Sequence, residues 1–141
     1  MASEELNKIV RNICRQGRMS FKEGATEEQI DLFEAENNIK LPSQYRDWLL
    51  FSDGGDCFLP AGVQFYGVAH KPLIEVNSDN APDKKYVVIG ALATGDPVLC
   101  EQDNEKISIY NIEGGRIEDD EVYADLHSFL NDMYDFLGIG D

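Results

Sequence analysis

At 141 residues, 43% of them apolar, the chain is long enough for one globular domain with a real core. Its 27 acidic and 12 basic residues give a net charge of −15, a field that repels phosphate backbones and anionic lipid, so neither nucleic acid nor membrane is expected as a partner. Apolar runs such as Tyr86 to Ile89 are too short to cross a bilayer, and the acidic start at Met1 to Glu5 is unlike a secretion signal; the expected location is the cytoplasm.

The charge is uneven. From Glu101 to Asp141 twelve acidic residues stand against only Lys106 and Arg116, a net of −10. Such a region attracts a cationic protein and speeds its association, and it also serves solubility alone. Cys14, Cys57 and Cys100 fit no zinc or redox spacing and read as reduced, buried thiols.

In chain order, Ser3 to Arg15 reads as an amphipathic helix with Leu6, Ile9, Val10 and Ile13 on one face, ended by Gln16-Gly17-Arg18. Thr26 with Gln29 three residues on forms a capping box for a second helix, which carries Ile30 and Phe33 inward and ends at Asn37-Asn38. The stretch Leu41 to Gly55 is the best punctuated. Pro42 suits the first helical position, Tyr45, Trp48 and Leu49 recur on one face, and Gly54 is placed to close the helix. Beyond it the pattern turns to strands. These are Val63 to Val68, Tyr86 to Ile89 closed by Gly90, and a hairpin of Pro97–Glu101 with Lys106–Ile112 around Gln102 to Glu105. The polar stretch His70 to Lys85 is a long connection, and Glu113 to Arg116 turns into a short strand near Ile117. Leu126, Phe129, Leu130, Met133 and Leu137 form a last helical stripe, with Gly138 as its stop. Helices, then hairpin strands, then one helix predict a single α+β domain over residues 1–141: a mainly antiparallel twisted sheet packed with N-terminal helices and a C-terminal helix.

Catalytic motifs fail. Gly90 to Gly95 has phosphate-loop spacing but continues as Asp96-Pro97, where a lysine and a hydroxyl residue are needed. With only His70 and His127, a histidine-rich metal site is excluded. His127 reads as a surface or rim residue, and His70 as a general base only if an Asp or Cys lies beside it. No catalytic residue, metal or cofactor is expected. Glu118-Asp119-Asp120-Glu121 is the densest acidic run and admits three readings: a solvated turn capping the last helix, a docking patch for a basic partner, or a cation site. With Asp103, Glu105 and Tyr110 it makes up the candidate partner-binding set, since tyrosine is common at interface hot spots.

Phe33-Glu34, Leu41-Pro42, Tyr45-Arg46, Trp48-Leu49 and Asp53-Gly54-Gly55 together resemble the signature of the SUKH superfamily, with Trp48 where a phenylalanine is usual and Asp53 where an asparagine is usual. Val87 to Gly90, the strand around Val98 and Tyr123 to Leu130 extend the resemblance over about residues 20–137. The resemblance implies a non-enzymatic interaction domain: an immunity protein that neutralises a cognate polymorphic toxin, often a nuclease, or a regulatory scaffold like the yeast cell-wall regulators of the Smi/Knr type. The expected partner is a basic protein toxin, and the expected alternative is a general protein-interaction module.

Overall fold

The computed structural model describes residues 4–14, 20–57, 62–70, 72–76, 86–101 and 104–136, with side chains at all of these except 5, 10, 12–14, 118–121 and 133–136. Three helices come first: α1 (Glu4–Cys14), α2 (Glu27–Asn37) and α3 (Ser43–Phe51). Six strands follow, β1 (Gly55–Cys57), β2 (Val63–Phe65), β3 (Tyr86–Leu92), β4 (Pro97–Glu101), β5 (Ile107–Asn111) and β6 (Arg116–Tyr123), and α4 (Leu126–Phe136) closes the chain's order. The strands lie side by side in sequence order, every neighbouring pair antiparallel. The α+β expectation holds.

The core lies between one face of the sheet and the helices. The strand residues that enter it are Cys57, Val63 and Phe65, then Val87, Ile89 at the β3 register shift, Val98, Cys100, Ile107 and Ile109. Leu6, Ile30, Tyr45, Trp48, Leu49, Leu126, Phe129 and Leu130 meet them from the helices. Phe65 is the hinge of this packing, with ring centroids 4.9 Å from Trp48, 5.9 Å from Tyr45 and 6.3 Å from Phe129. No helix among the described residues is long and apolar enough to cross a membrane.

The capping box forms as expected: the Gln29 amide donates to Thr26 Oγ1 and the Thr26 amide donates back to Gln29 Oε1. Asn38 ends α2 in the left-handed conformation, φ 54°. Around α3 the expectation shifts by a residue. Pro42 is the N-cap, extended at ψ 146°, and the helix closes at Ser52, also extended; Gly54 is not its stop. Gly54 and Gly55, at φ +98° and +103°, instead fold the chain sharply into β1. A Cβ on Gly54 would lie 2.8 Å from the Phe65 carbonyl oxygen, so the turn also needs the close approach that only glycine allows.

Three strand expectations are corrected. Gly90 lies inside β3 rather than ending it: a Cβ there would lie 2.5 Å from the Gln64 carbonyl oxygen, so the glycine marks the approach of β2, next to a register shift between Val88 and Gly90. The β2 strand stops at Phe65: the Tyr66 amide still donates to the Ile89 carbonyl in line with the β2–β3 register, but Gly67 leaves β3 and pairs with Leu73 instead. Finally, Glu118 to Glu121 are not a turn but part of the eight-residue β6. An edge strand, with one side open to water, tolerates charges that a central strand does not. Leu126, Phe129 and Leu130 of the last-helix stripe are buried as expected, while the Met133 side chain, Leu137 and Gly138 lie outside what is described.

Candidate interaction surface

Most of the signature residues build the joint between α2, α3 and β1. Glu34 on α2 accepts the Leu41 amide at 2.7 Å and pairs with Arg46 of α3 at 2.5 Å, while Arg46 also reaches Asp31 at 2.9 Å. The Trp48 indole N–H donates to the Gly54 carbonyl at 2.9 Å, and the Tyr45 hydroxyl meets the carbonyls of Tyr66 and Ile89. Complete burial pushes the Tyr45 hydroxyl well above its ordinary value, with Cys100 and Asp53 adding to the rise, so it stays a neutral donor. Burial likewise raises the Cys100 thiol far out of the reactive range. Cys57 is a second buried cysteine outside any disulfide; the side chain of Cys14 lies outside the described ones.

Asp53 is the most connected of these groups. Its carboxylate is fully buried and accepts the backbone amides of Val68, Ala69 and His70 at 2.7, 2.9 and 2.7 Å. His70 Nδ1 adds a fourth contact at 2.8 Å; since a carboxylate only accepts, Nδ1 carries the proton. The aspartate that a basic His70 would need is therefore beside it. The imidazole is 43% exposed, and no described residue is bonded to its Nε2, so the pair closes the turn after β2 without presenting a nucleophile. His127, expected at the surface, is 7% exposed: α4 packs toward α3, and the His127 amide donates to Gln44 Oε1 at 2.9 Å.

The candidate docking residues do not converge on one point. Glu105, in the β4–β5 connection, reaches across to the start of α3, accepting the Ser43 amide and hydroxyl at 2.8 and 3.0 Å and the Gln44 amide at 3.2 Å. It supplies the cap that Pro42 lacks. Asp103 lies outside the described residues. Tyr110 is half-buried on β5, opposite Ile117 of β6. The β5–β6 ladder then breaks: Ser108 pairs with Val122 and Tyr110 with Ile117, so Ile109 alone faces the four residues Glu118 to Glu121. The acidic run thus occupies an irregularity in the outer strand of the sheet. Capping of α4 falls to Asp125 instead, whose side chain accepts the Ser128 amide at 2.8 Å and whose carbonyl accepts the Phe129 amide. No group of three or more metal-ligating side chains gathers among the described residues.

Sequence reasoning missed the face of the sheet opposite the described helices. Asp56 and Gln64 lie there as cross-strand partners in the β1–β2 register, next to Ala91 of β3, along a groove of about 320 Å3. The only available signal was the alternation of Gln64 between Val63 and Phe65; β1 itself, three residues long, gives none.

A family model described as SMI1 / KNR4 family (SUKH-1) matches residues 24–136. No curated protein matches the chain.

Proposed function

The chain belongs to the SMI1/KNR4 family (SUKH-1), and from that premise we propose that it is a non-enzymatic protein-binding module, acting as an immunity protein that neutralises a cognate toxin. The partner is a basic protein, and a nuclease toxin fits best, because an enzyme that grips a nucleic-acid backbone must present cationic surface to it. The observation that carries this reading is the charge of the last third, twelve acidic residues against two basic ones. An acidic protein covering such a surface would block substrate and associate quickly at low salt. Within this reading Glu118, Asp119, Asp120 and Glu121 on the outer strand, with Tyr110 beside them and Asp103 and Glu105 in the preceding connection, form the contact region. The module works in the cytoplasm and needs no cofactor.

Co-expression with a candidate toxin is expected to restore growth. Replacing all four acids, E118K, D119K, D120K and E121K, is expected to slow association at least tenfold in 50 mM salt and to flatten the salt dependence, both measured by surface plasmon resonance with the purified toxin. Unchanged affinity and salt slope would remove the acidic run from the interface. It would favour a general scaffold whose edge-strand charges serve only to prevent sheet-to-sheet aggregation.

A further inference from the structure

We propose that the groove across β1, β2 and β3, on the face opposite the described helices, is a receptor for a cationic side chain, an arginine or lysine, of a protein partner. The inference rests on the reading of the chain as a protein-binding module and adds a second contact point on a different part of the surface.

The strand pleat fixes which side chains point into the groove. Gly55 and Cys57 of β1 and Val63 and Phe65 of β2 are buried on the core side, so Asp56 and Gln64 between them face the other way. They are direct partners in the register, and Gln64 in turn pairs with Ala91. Asp56 is held firmly: its amide donates to the Ser20 carbonyl at 2.8 Å, and its carbonyl accepts the Ser20 amide at 2.9 Å. Asp56 as a whole is half-buried, yet no donor among the described residues reaches its carboxylate. The side-chain amide of Gln64 is exposed and equally uncommitted among the described residues.

These features select one ligand chemistry. An anion would meet the Asp56 carboxylate and the field of a −15 protein. A purely apolar group would leave that carboxylate partly desolvated with nothing to answer it. A long cationic side chain does neither. Its methylene stem can lie over the small floor made by Gly62, Ala91 and Ala93, its head can bond Asp56, and Gln64 can accept a further N–H. A carboxylate on a half-buried residue at a groove floor gains more from such a head than a fully solvated one on a helix surface.

The test uses the full chain, labelled with 15N and titrated with Nα-acetyl-arginine methylamide; the glutamate and norleucine analogues are controls. Saturable shifts are expected at the amides of Asp56, Gln64, Ala91 and Ala93 with the arginine compound alone. Affinity is expected to fall at least fivefold in D56N, and likewise in Q64K, which places a competing ammonium opposite the carboxylate; unchanged melting temperatures establish that both variants are folded. Shifts spread evenly over exposed acids such as Glu27 and Glu28, or a D56N variant that binds as the parent does, overturn the proposal. Because the probe is a small molecule, its result does not depend on the toxin reading. Conversely, a toxin whose affinity falls with the β6 substitutions but not with D56N or Q64K would keep that reading and remove the groove from the interface.

Discussion

Asp53 shows how one atom can decide a local fold. The related signature usually has asparagine at this position, which would keep the Oδ1 acceptor for Val68. It would set an NH2 group, a donor, against the amides of Ala69 and His70, which now both donate to Oδ2. In this chain the usual residue is therefore the wrong one. D53N is expected to lower stability by about 1–3 kcal/mol, the cost of leaving buried donors without an acceptor. Urea unfolding of the two proteins under the same conditions reads this directly, and equal midpoints would mean that the turn re-forms around the amide. The departure from the family pattern was visible in the sequence, and so was His70. Their contact was not, because seventeen positions separate them and nothing local signals which loop returns to which turn.

Among elements, the readable ones carry their own punctuation. The α2 helix was placed by Thr26, Gln29 and Asn38, all within a few residues of its ends, and the β4–β5 hairpin by alternation on either side of a polar turn. Elements capped from afar were harder. The α3 start depends on Glu105, 62 positions away, which reads in sequence as a free acid. Only the start of β6, near Ile117, was legible, because four consecutive acids argue for a turn by propensity, and pairing with β5 on either side of them overrides that. The start of α4 allows a test with a pH signature. Burial alone would raise the Asp125 carboxyl; hydrogen bonds from Ser128 and Gln44, helped by His127, outweigh it and bring the group below its ordinary value. A carboxyl lowered on folding adds stability above its unfolded value of about 3.9, and that contribution disappears as pH falls through the folded value. D125A is therefore expected to cost about 1 kcal/mol at pH 7, as N-cap losses do, with the deficit shrinking toward pH 3. Urea midpoints for both proteins at pH 7 and pH 3 would show it; a deficit independent of pH would assign the loss to packing.

At the scale of the whole molecule, the family region and the folded unit differ. The match begins at residue 24, yet what precedes it is woven into the core. Leu6 is fully buried and Ile9 nearly so, within the same cluster as Leu126, Phe129 and Leu130 of α4. Phe21 lies edge-on to Trp48 and Phe51, at 6.0 and 4.8 Å between ring centroids, and Ser20 pairs with Asp56 along the outer side of β1. Full burial of an aliphatic side chain is worth about 1.5–3 kcal/mol, so Leu6 and Ile9 alone supply roughly 3–6 kcal/mol, and the half-buried Phe21 adds to that. That is comparable with the entire margin of about 5–15 kcal/mol on which a domain of this size stands. Removing residues 1–23 is therefore expected to leave a chain that is largely unfolded at 37 °C, with collapsed amide dispersion in its 15N spectrum. The single change L6A, which opens a cavity without exposing the β1 edge, is expected to cost about 2–5 kcal/mol and to remain folded at 25 °C. A truncated chain that melts with the same midpoint as the parent would show that the core closes without α1 and Phe21. The family region would then be the complete folding unit, and the N-terminal segment an appendage packed on a finished domain.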